Sequence, residues 1–309
     1  MWVRVLGSGA GGGFPQWNCN CPNCHAARDG SKPCRKRTQS SIAVSADYER
    51  WFVFNASPDI HAQIEAFAAL WPRQQPRHTP IQAVVLSDAE LDHTLGLLLL
   101  REARRLRVYA TRWVHTALTE WNPILRTLSA FATVDWRPVE VDEVQPLCAA
   151  DDSDSGLRVK AFSAASTKRL TFAPPDSAGH PEASVGYRIT DAGSGRSVVY
   201  LPALERITPE VRQQLTQAEC LLVDGTCWTD DEMPRMGIAG KTAREMGHLP
   251  LNGGGEAGSL DQLAKLKLER TVLIHINNTN PVLIENSPQR EEVDRRGVEV
   301  AHDGMELEV

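Results

Sequence analysis

"IQAVVLSDAELDHTLGL", residues 81–97, decides how the rest of the chain is read. Its β-branched start, Ile81–Leu86, reads as a buried strand; a polar loop follows, and an apolar helix is predicted from near Thr94. Layered α/β proteins place their chemistry in loops that follow strands. This loop carries Asp88, Glu90, Asp92 and His93. Its right-hand end matches the close of the metal loop H-x-H-x-D-H, but Asp88 and Glu90 stand at the two leading histidine positions. Exchanging imidazoles for carboxylates moves a site from zinc toward harder, more labile cations. A histidine with carboxylates and open positions suits Fe(II) or Mn(II). The same acids would also serve a helix N-terminus, so the stretch alone leaves a capping role open.

Around this segment the chain alternates short apolar runs at 2–6, 41–45, 51–55, 82–86, 107–110, 158–162, 186–190, 197–201, 220–224, 271–276 and 298–301 with helical periodicity at 208–217 and 258–267. Loops rich in Gly, Pro, Asp and Ser fall at 150–156, 173–184 and 251–258. No repeat or linker interrupts the pattern, so a single layered domain over 1–309 is expected. A net charge of −6 and the lack of a lysine-rich run argue against a nucleic-acid partner. No run of 18 apolar residues occurs, and the first residues lack the pattern of a signal peptide, so a cytoplasmic protein with no membrane contact is expected. In that reducing setting the seven cysteines are thiols or metal ligands.

"WNCNCPNC" places Cys19, Cys21 and Cys24 on one tight turn, within a knuckle at about 15–30. Soft thiolates at that spacing hold structural zinc. The fourth ligand must come from elsewhere: His25, Cys34 or a distant histidine. The preceding "GSGAGGGFP" (7–15) lacks the Lys-Ser/Thr of a phosphate loop, and reads as a turn that delivers the knuckle and lines a cleft. Three later strands each close on an acid or imidazole: Asp224 in "CLLVDGTCW", His248 in "REMGHLP" after it, and His275 in "TVLIHINNTNP". Each alone is an ordinary core residue; together they repeat the architecture of residues 81–97.

These stretches, with "RTQSSIA" (37–43), "NASPDI" (55–60) and "GVEVAHDGMEL" (297–307), resemble the PqqB family, the coenzyme pyrroloquinoline quinone (PQQ) synthesis proteins B, from the first strand to the last residues. The resemblance implies the metallo-β-lactamase fold: an αββα sandwich of two mixed β-sheets flanked by helices. Relatives in the tRNase Z and phosphodiesterase branch build a two-metal hydrolytic site. Against their pattern Asp92 and His93 are kept and His275 matches the final histidine. The middle histidine has no counterpart in "FSAAS" (162–166), and Ala203 stands where the bridging aspartate belongs. A relative with a similar knuckle takes its fourth zinc ligand where this chain has Asn278. His275 is thus a shared candidate, for structural zinc or for the active metal.

The resemblance further implies an iron- and O₂-dependent hydroxylase acting on the tyrosine ring of a Glu-Tyr unit cut from a precursor peptide. His93, Asp92 and Glu90 are the expected catalytic iron ligands, with Asp88, Asp224, His248 and His275 as further ligands or groups that orient them. Asn277, Asn278, Asn280, Arg37, Ser40 and Ser41 are the expected substrate-binding residues, and Trp17 and Trp228 are candidate cleft walls. Other PQQ-pathway proteins, PQQ or a late intermediate are the implied partners, and a homodimer stays open. Two alternatives compete: a metal-dependent hydrolase, and a carrier of PQQ or an intermediate that catalyses nothing.

Overall fold

The computed structural model describes residues 1–73, 75–253 and 258–309, so part of the expected 251–258 loop lies outside the described residues. Two seven-stranded sheets stack face to face. The first contains β1 (Trp2–Gly7), β2 (Ser41–Ser45), β3 (Trp51–Phe54), β4 (Ile81–Val85), β5 (Arg105–Ala110) and β6 (Thr133–Pro138). The second contains β7 (Val144–Cys148), β8 (Asp154–Ser163), β9 (Val185–Asp191), β10 (Ser197–Leu201), β11 (Cys220–Asp224), β12 (Arg270–Ile274) and β13 (Glu299–Val300). β14 (Glu306–Glu308) returns to the first sheet and pairs with β1, giving the order β14-β1-β2-β3-β4-β5-β6. The second sheet runs β13-β12-β11-β10-β9-β8-β7.

Both sheets are mixed. β3 to β6 run parallel, as do β10 to β13, while the remaining neighbours are antiparallel. Alternation along each strand assigns its two faces. Val198 and Tyr200 point between the sheets, where they meet Phe54, Tyr187, Leu222 and Ile274; Val199 and Leu201 point outward under the helices. The two sheets therefore share one buried core, with further apolar layers on each outer face. This is the αββα sandwich expected above. Strands β6, β7 and β14 were absent from the apolar runs. β6 and β7 are half-exposed edge strands with mixed composition, and β14 is a three-residue strand with one buried residue.

The polar loop after β4 is shorter than predicted. A helical turn starts at Leu91, not near Thr94, because Glu90 is its N-terminal flank and Thr94 Oγ1 bonds back to the Glu90 carbonyl at 2.8 Å. Asp92 and His93 consequently sit in a helix, and the chain continues into a second turn, Gly96–Leu99. Gly96 is required there. A Cβ at this position would lie 2.2 Å from the Ser57 carbonyl and 2.7 Å from that of Ala56. The close approach lets Gly96 N–H bond to Ala56 O, and Ala56 N–H bond to His93 O at 2.7 Å. Gly96→Ala is expected to lower stability by about 1–3 kcal/mol, the range for forced overpacking, read as a lower midpoint in urea unfolding followed by circular dichroism.

Candidate metal centre and cysteine knuckle

The C-terminal ends of β4, β11 and β12 meet at one edge of the sandwich. From them Asp88, Asp92 and His93, then Asp224, then His275 converge, joined by His248 from the turn after Met246. His275 holds a left-handed backbone with φ 59°, an unusual conformation for a residue with a side chain. Such strain marks functional positions and persists only where neighbours enforce it. Here Gly225 N–H bonds to Ile274 O and Asn277 N–H bonds to Thr226 O, clamping both sides of the residue.

Each imidazole is anchored through Nδ1. His93 Nδ1 lies 2.8 Å from both Asp88 oxygens. His248 Nδ1 lies 2.7 Å from Asp224 Oδ2, and His275 Nδ1 lies 2.8 Å from Thr226 Oγ1. Thr226 donates its hydroxyl proton to Asp224 Oδ1 at 2.6 Å, so its oxygen accepts from His275. Carboxylates and a hydroxyl committed in this way hold each ring through Nδ1 and leave Nε2 as the ring atom available to a proton or a cation. His275 Nε2 then stands 3.2 Å from Asp92 Oδ2, and His93 Nε2 stands 3.9 Å from that same oxygen. His93 Nε2 is buried and has no hydrogen-bond partner. Two ring nitrogens and a carboxylate oxygen facing one another form a donor set that could hold a cation.

The electrostatics agree. Burial alone would push the His93 imidazolium down, but the Asp88 and Asp92 carboxylates outweigh it and carry its pKa up to about 9. Burial pushes the Asp92 carboxyl up, but His93 and His275 overcome it and hold it well below the usual carboxylate range. His275 moves the other way, its imidazolium disfavoured chiefly by burial. The field that favours a proton on His93 favours a metal ion at the same lone pair.

The other expected ligands occupy different places. Asp88 is spent on His93, Ser87 Oγ and Glu90 N–H, and faces the ring nitrogen remote from Asp92. Asp224 is likewise satisfied by His248, Thr226 and Leu204 N–H. Both orient imidazoles. Glu90 turns from the cluster to Lys168 Nζ, 2.6 Å away. Asp92, His93, His248 and His275 line one cleft with Asp88, Glu90, Ser166, Lys168 and Ala203. Lys168 and Thr226 were missed. Thr226 was already inside the quoted "DGTCW", but a hydroxyl does not announce itself as a bridge between two rings. Lys168 lies in a loop with no periodicity.

None of the six expected substrate-binding residues lines this cleft. Arg37 is buried and donates to Ser8 Oγ and to the Ala301 carbonyl. Ser40 meets the Tyr200 hydroxyl at 3.2 Å, and Ser41 donates to Asn55 O at 2.8 Å. Asn277 donates to Thr279, and Asn280 to Gly225 O and Thr226 O. Their polar atoms secure the loops behind the site. Trp17 is 85% exposed, and neither it nor Trp228 borders the cleft. The glycine-rich run is a turn, as expected, but touches the site from behind: a Cβ on Gly11 would meet Asp92 Oδ2 at 3.2 Å.

The knuckle forms a second centre. Cys19, Cys21 and Cys24 gather at the start of the helix Pro22–Asp29. The fourth side chain is Asn278, whose amide nitrogen lies 3.1, 3.6 and 3.3 Å from the three sulfurs while its Oδ1 is buried without a partner. His275 does not serve here; its ring is held by Thr226 and Asp92. Amide nitrogen and oxygen are exchangeable by rotation about the last side-chain bond. Turned over, the amide presents oxygen to three sulfurs and completes a four-donor set suited to zinc. Burial pushes the Cys21 thiol up to about 12, so adjacent thiolates call for a cation between them. Cys21→Ser should abolish metal retention at the knuckle, and Asn278→Leu should weaken it by about 10–100-fold, measured by elemental analysis after chelator dialysis. Asp88→Asn should weaken metal binding at the His93 site by a similar factor, about 10–100-fold, and leave knuckle metal in place.

Residues 50–276 match the Beta-lactamase superfamily domain family. The chain is 48% identical over 310 residues to the coenzyme PQQ synthesis protein B of Methylococcus capsulatus, covering 99% of each chain. It is 46% identical over 312 residues to the protein of that name from Pseudomonas putida, covering 100% of both. Among solved structures, Zn(2+)-bound PqqB from Methylobacterium extorquens superposes with a TM-score of 0.90 at 41% identity, covering 100% of both chains. A diphosphatase of the PhnP family, at 22% identity and a TM-score of 0.69, shares the fold. Its size, its fold and its sequence from end to end agree: the chain belongs to the coenzyme PQQ synthesis protein B family.

Proposed function

We propose that this member of the PQQ synthesis family is a non-haem iron oxygenase that hydroxylates the tyrosine ring of a Glu-Tyr unit. The observation that carries the reading is the meeting of His93 Nε2, His275 Nε2 and Asp92 Oδ2, with His93 Nε2 buried and unpartnered. Two imidazoles and one carboxylate with open positions are the donor set of non-haem Fe(II) oxygenases. Ferrous iron bound there would supply the O₂ chemistry that zinc, with no redox states, does not. Asp88 and Thr226 hold the two rings in the tautomer that such binding needs. His248 borders the cleft beside His275, the rings stacked with centroids 5.2 Å apart.

One oxygen atom of O₂ enters a ring C–H bond, and the other leaves as water. Two electrons and two protons come from an external reductant. Hydrolysis is disfavoured by the residues themselves. Ala203 lines the cleft where a bridging carboxylate would stand, and Ser166, from the stretch lacking the middle histidine, offers only a hydroxyl. The structural zinc belongs, on this reading, to the Cys19–Cys21–Cys24–Asn278 set. Cytoplasmic placement and contact with other PQQ-pathway proteins form part of the same proposal.

The test is aerobic incubation of iron-loaded protein, a reductant and Glu-Tyr, with ¹⁸O₂ and mass spectrometry. Label is expected in the tyrosine ring. His93→Ala, Asp92→Ala and His275→Ala should each lower the rate by at least about 100-fold, while knuckle zinc is unchanged. Full turnover in all three would remove the assignment of the site. Label-free, O₂-independent cleavage would favour a hydrolase, and tight PQQ binding with no turnover would favour a carrier.

A further inference from the structure

The cleft is rich in acid, yet the substrate proposed above carries carboxylates. Asp88, Glu90 and Asp92 all face it. Among its described lining residues Lys168 is the sole lysine or arginine. Its ammonium lies 2.6 Å from Glu90 Oε1, and both side chains are about one-third exposed, at 32% and 31%. Asp88 is committed to His93, and Asp92 faces His93 Nε2 and His275 Nε2 within the donor set. Glu90 makes no side-chain hydrogen bond to the imidazoles among the described residues; its carboxylate pairs with Lys168.

The lysine is held in place independently of Glu90. Its backbone N–H bonds to Ser166 Oγ at 3.2 Å. Thr167 donates through N–H and Oγ1 to the Glu205 carboxylate, each at 2.5 Å, and Ser166 Oγ reaches the same group at 3.2 Å. The aliphatic stem lies against Gly247, where φ is 87° and an added Cβ would come within 3.0 Å of Lys168 Cδ. A pinned loop, a stem laid on bare backbone and an ammonium lining the cleft make a receptor for an anion.

We propose that Lys168 is the anchor for a substrate carboxylate, and that Glu90 is an internal surrogate which the arriving carboxylate displaces. The inference rests on the functional reading above. A pair exposed by about one-third is held weakly enough to exchange. A ligand that brings a carboxylate and other contacts to the cleft outcompetes a lone side chain. The acidic remainder of the cleft then rejects anions that miss the lysine, so one cation sets both affinity and orientation.

The experiment measures equilibrium binding by calorimetry on metal-loaded full-length protein under anaerobic conditions, where no turnover occurs. Four proteins are compared: wild type, Lys168→Gln, Lys168→Arg and Glu90→Gln. The ligands are Glu-Tyr and its fully amidated analogue. Lys168→Gln should bind Glu-Tyr at least about tenfold more weakly, as expected for losing a charge-assisted bond, while Lys168→Arg stays near wild type. Glu90→Gln should bind it more tightly, an effect of opposite sign that a merely structural pair does not produce. The amidated analogue should show no difference among the four. Equal affinity of wild type and Lys168→Gln for Glu-Tyr overturns the anchor while leaving the functional reading intact. If wild type binds no Glu-Tyr, that reading fails instead. The anchor is then judged on PQQ, itself a polycarboxylate, and equal affinity of wild type and Lys168→Gln for PQQ overturns it too.

Discussion

The Nδ1 atoms of three buried histidines are tied to Asp88, to Asp224 and to Thr226, and the rest of the site depends on those bonds. A ring held through one nitrogen cannot turn, and its tautomer is set; the other nitrogen then faces wherever the backbone points it. In this fold the segments after β4 and β12, with the turn that carries His248, bring those rings and Asp92 to one cleft. Each anchoring acid is buried, and its other oxygen is bonded as well: Asp88 to Ser87, Asp224 to Thr226. Unpaired buried carboxylates would be costly, so the supporting bonds are a condition of the arrangement. Below them, Asn55 ties Ser87 to Tyr200 and joins the site to the polar centre of the sandwich.

This organisation answers the puzzle of the altered metal loop. Asp88, at the first displaced histidine position, holds His93 through Nδ1 and so orients that ring. Glu90, at the second, left the cluster for Lys168. The lost imidazoles were not replaced like for like. What converges here is a small set of nitrogen and oxygen donors, of the kind that suits a metal with open positions.

Much of the fold was legible because it obeys simple periodicities. β4, β10, β11 and β12 are continuous apolar runs, and parallel strands buried on both faces read that way. The cysteine spacing and the residues at strand ends were legible for the same local reason. What the sequence hid was partnership. Nothing in "NNTNP" says that Asn278 reaches the sulfurs while Asn277 and Asn280 fasten the loop, since all three are the same side chain in one polar run. Nothing in "STKRL" says that Lys168 meets Glu90 across the chain. Edge strands β6 and β7 were hidden because exposure dilutes alternation. Partners far apart in sequence leave no periodic trace, and these decide roles.

One loop carries a consequence of its own. His275 and Asn278 lie three residues apart, the first in the cleft and the second among the thiols. Whatever fills the knuckle braces the segment that sets the angle of the imidazole. The cysteine turn thus works as a foundation stone for the histidine cleft: loosen it, and the geometry of the donors slackens although no residue in the cleft has changed.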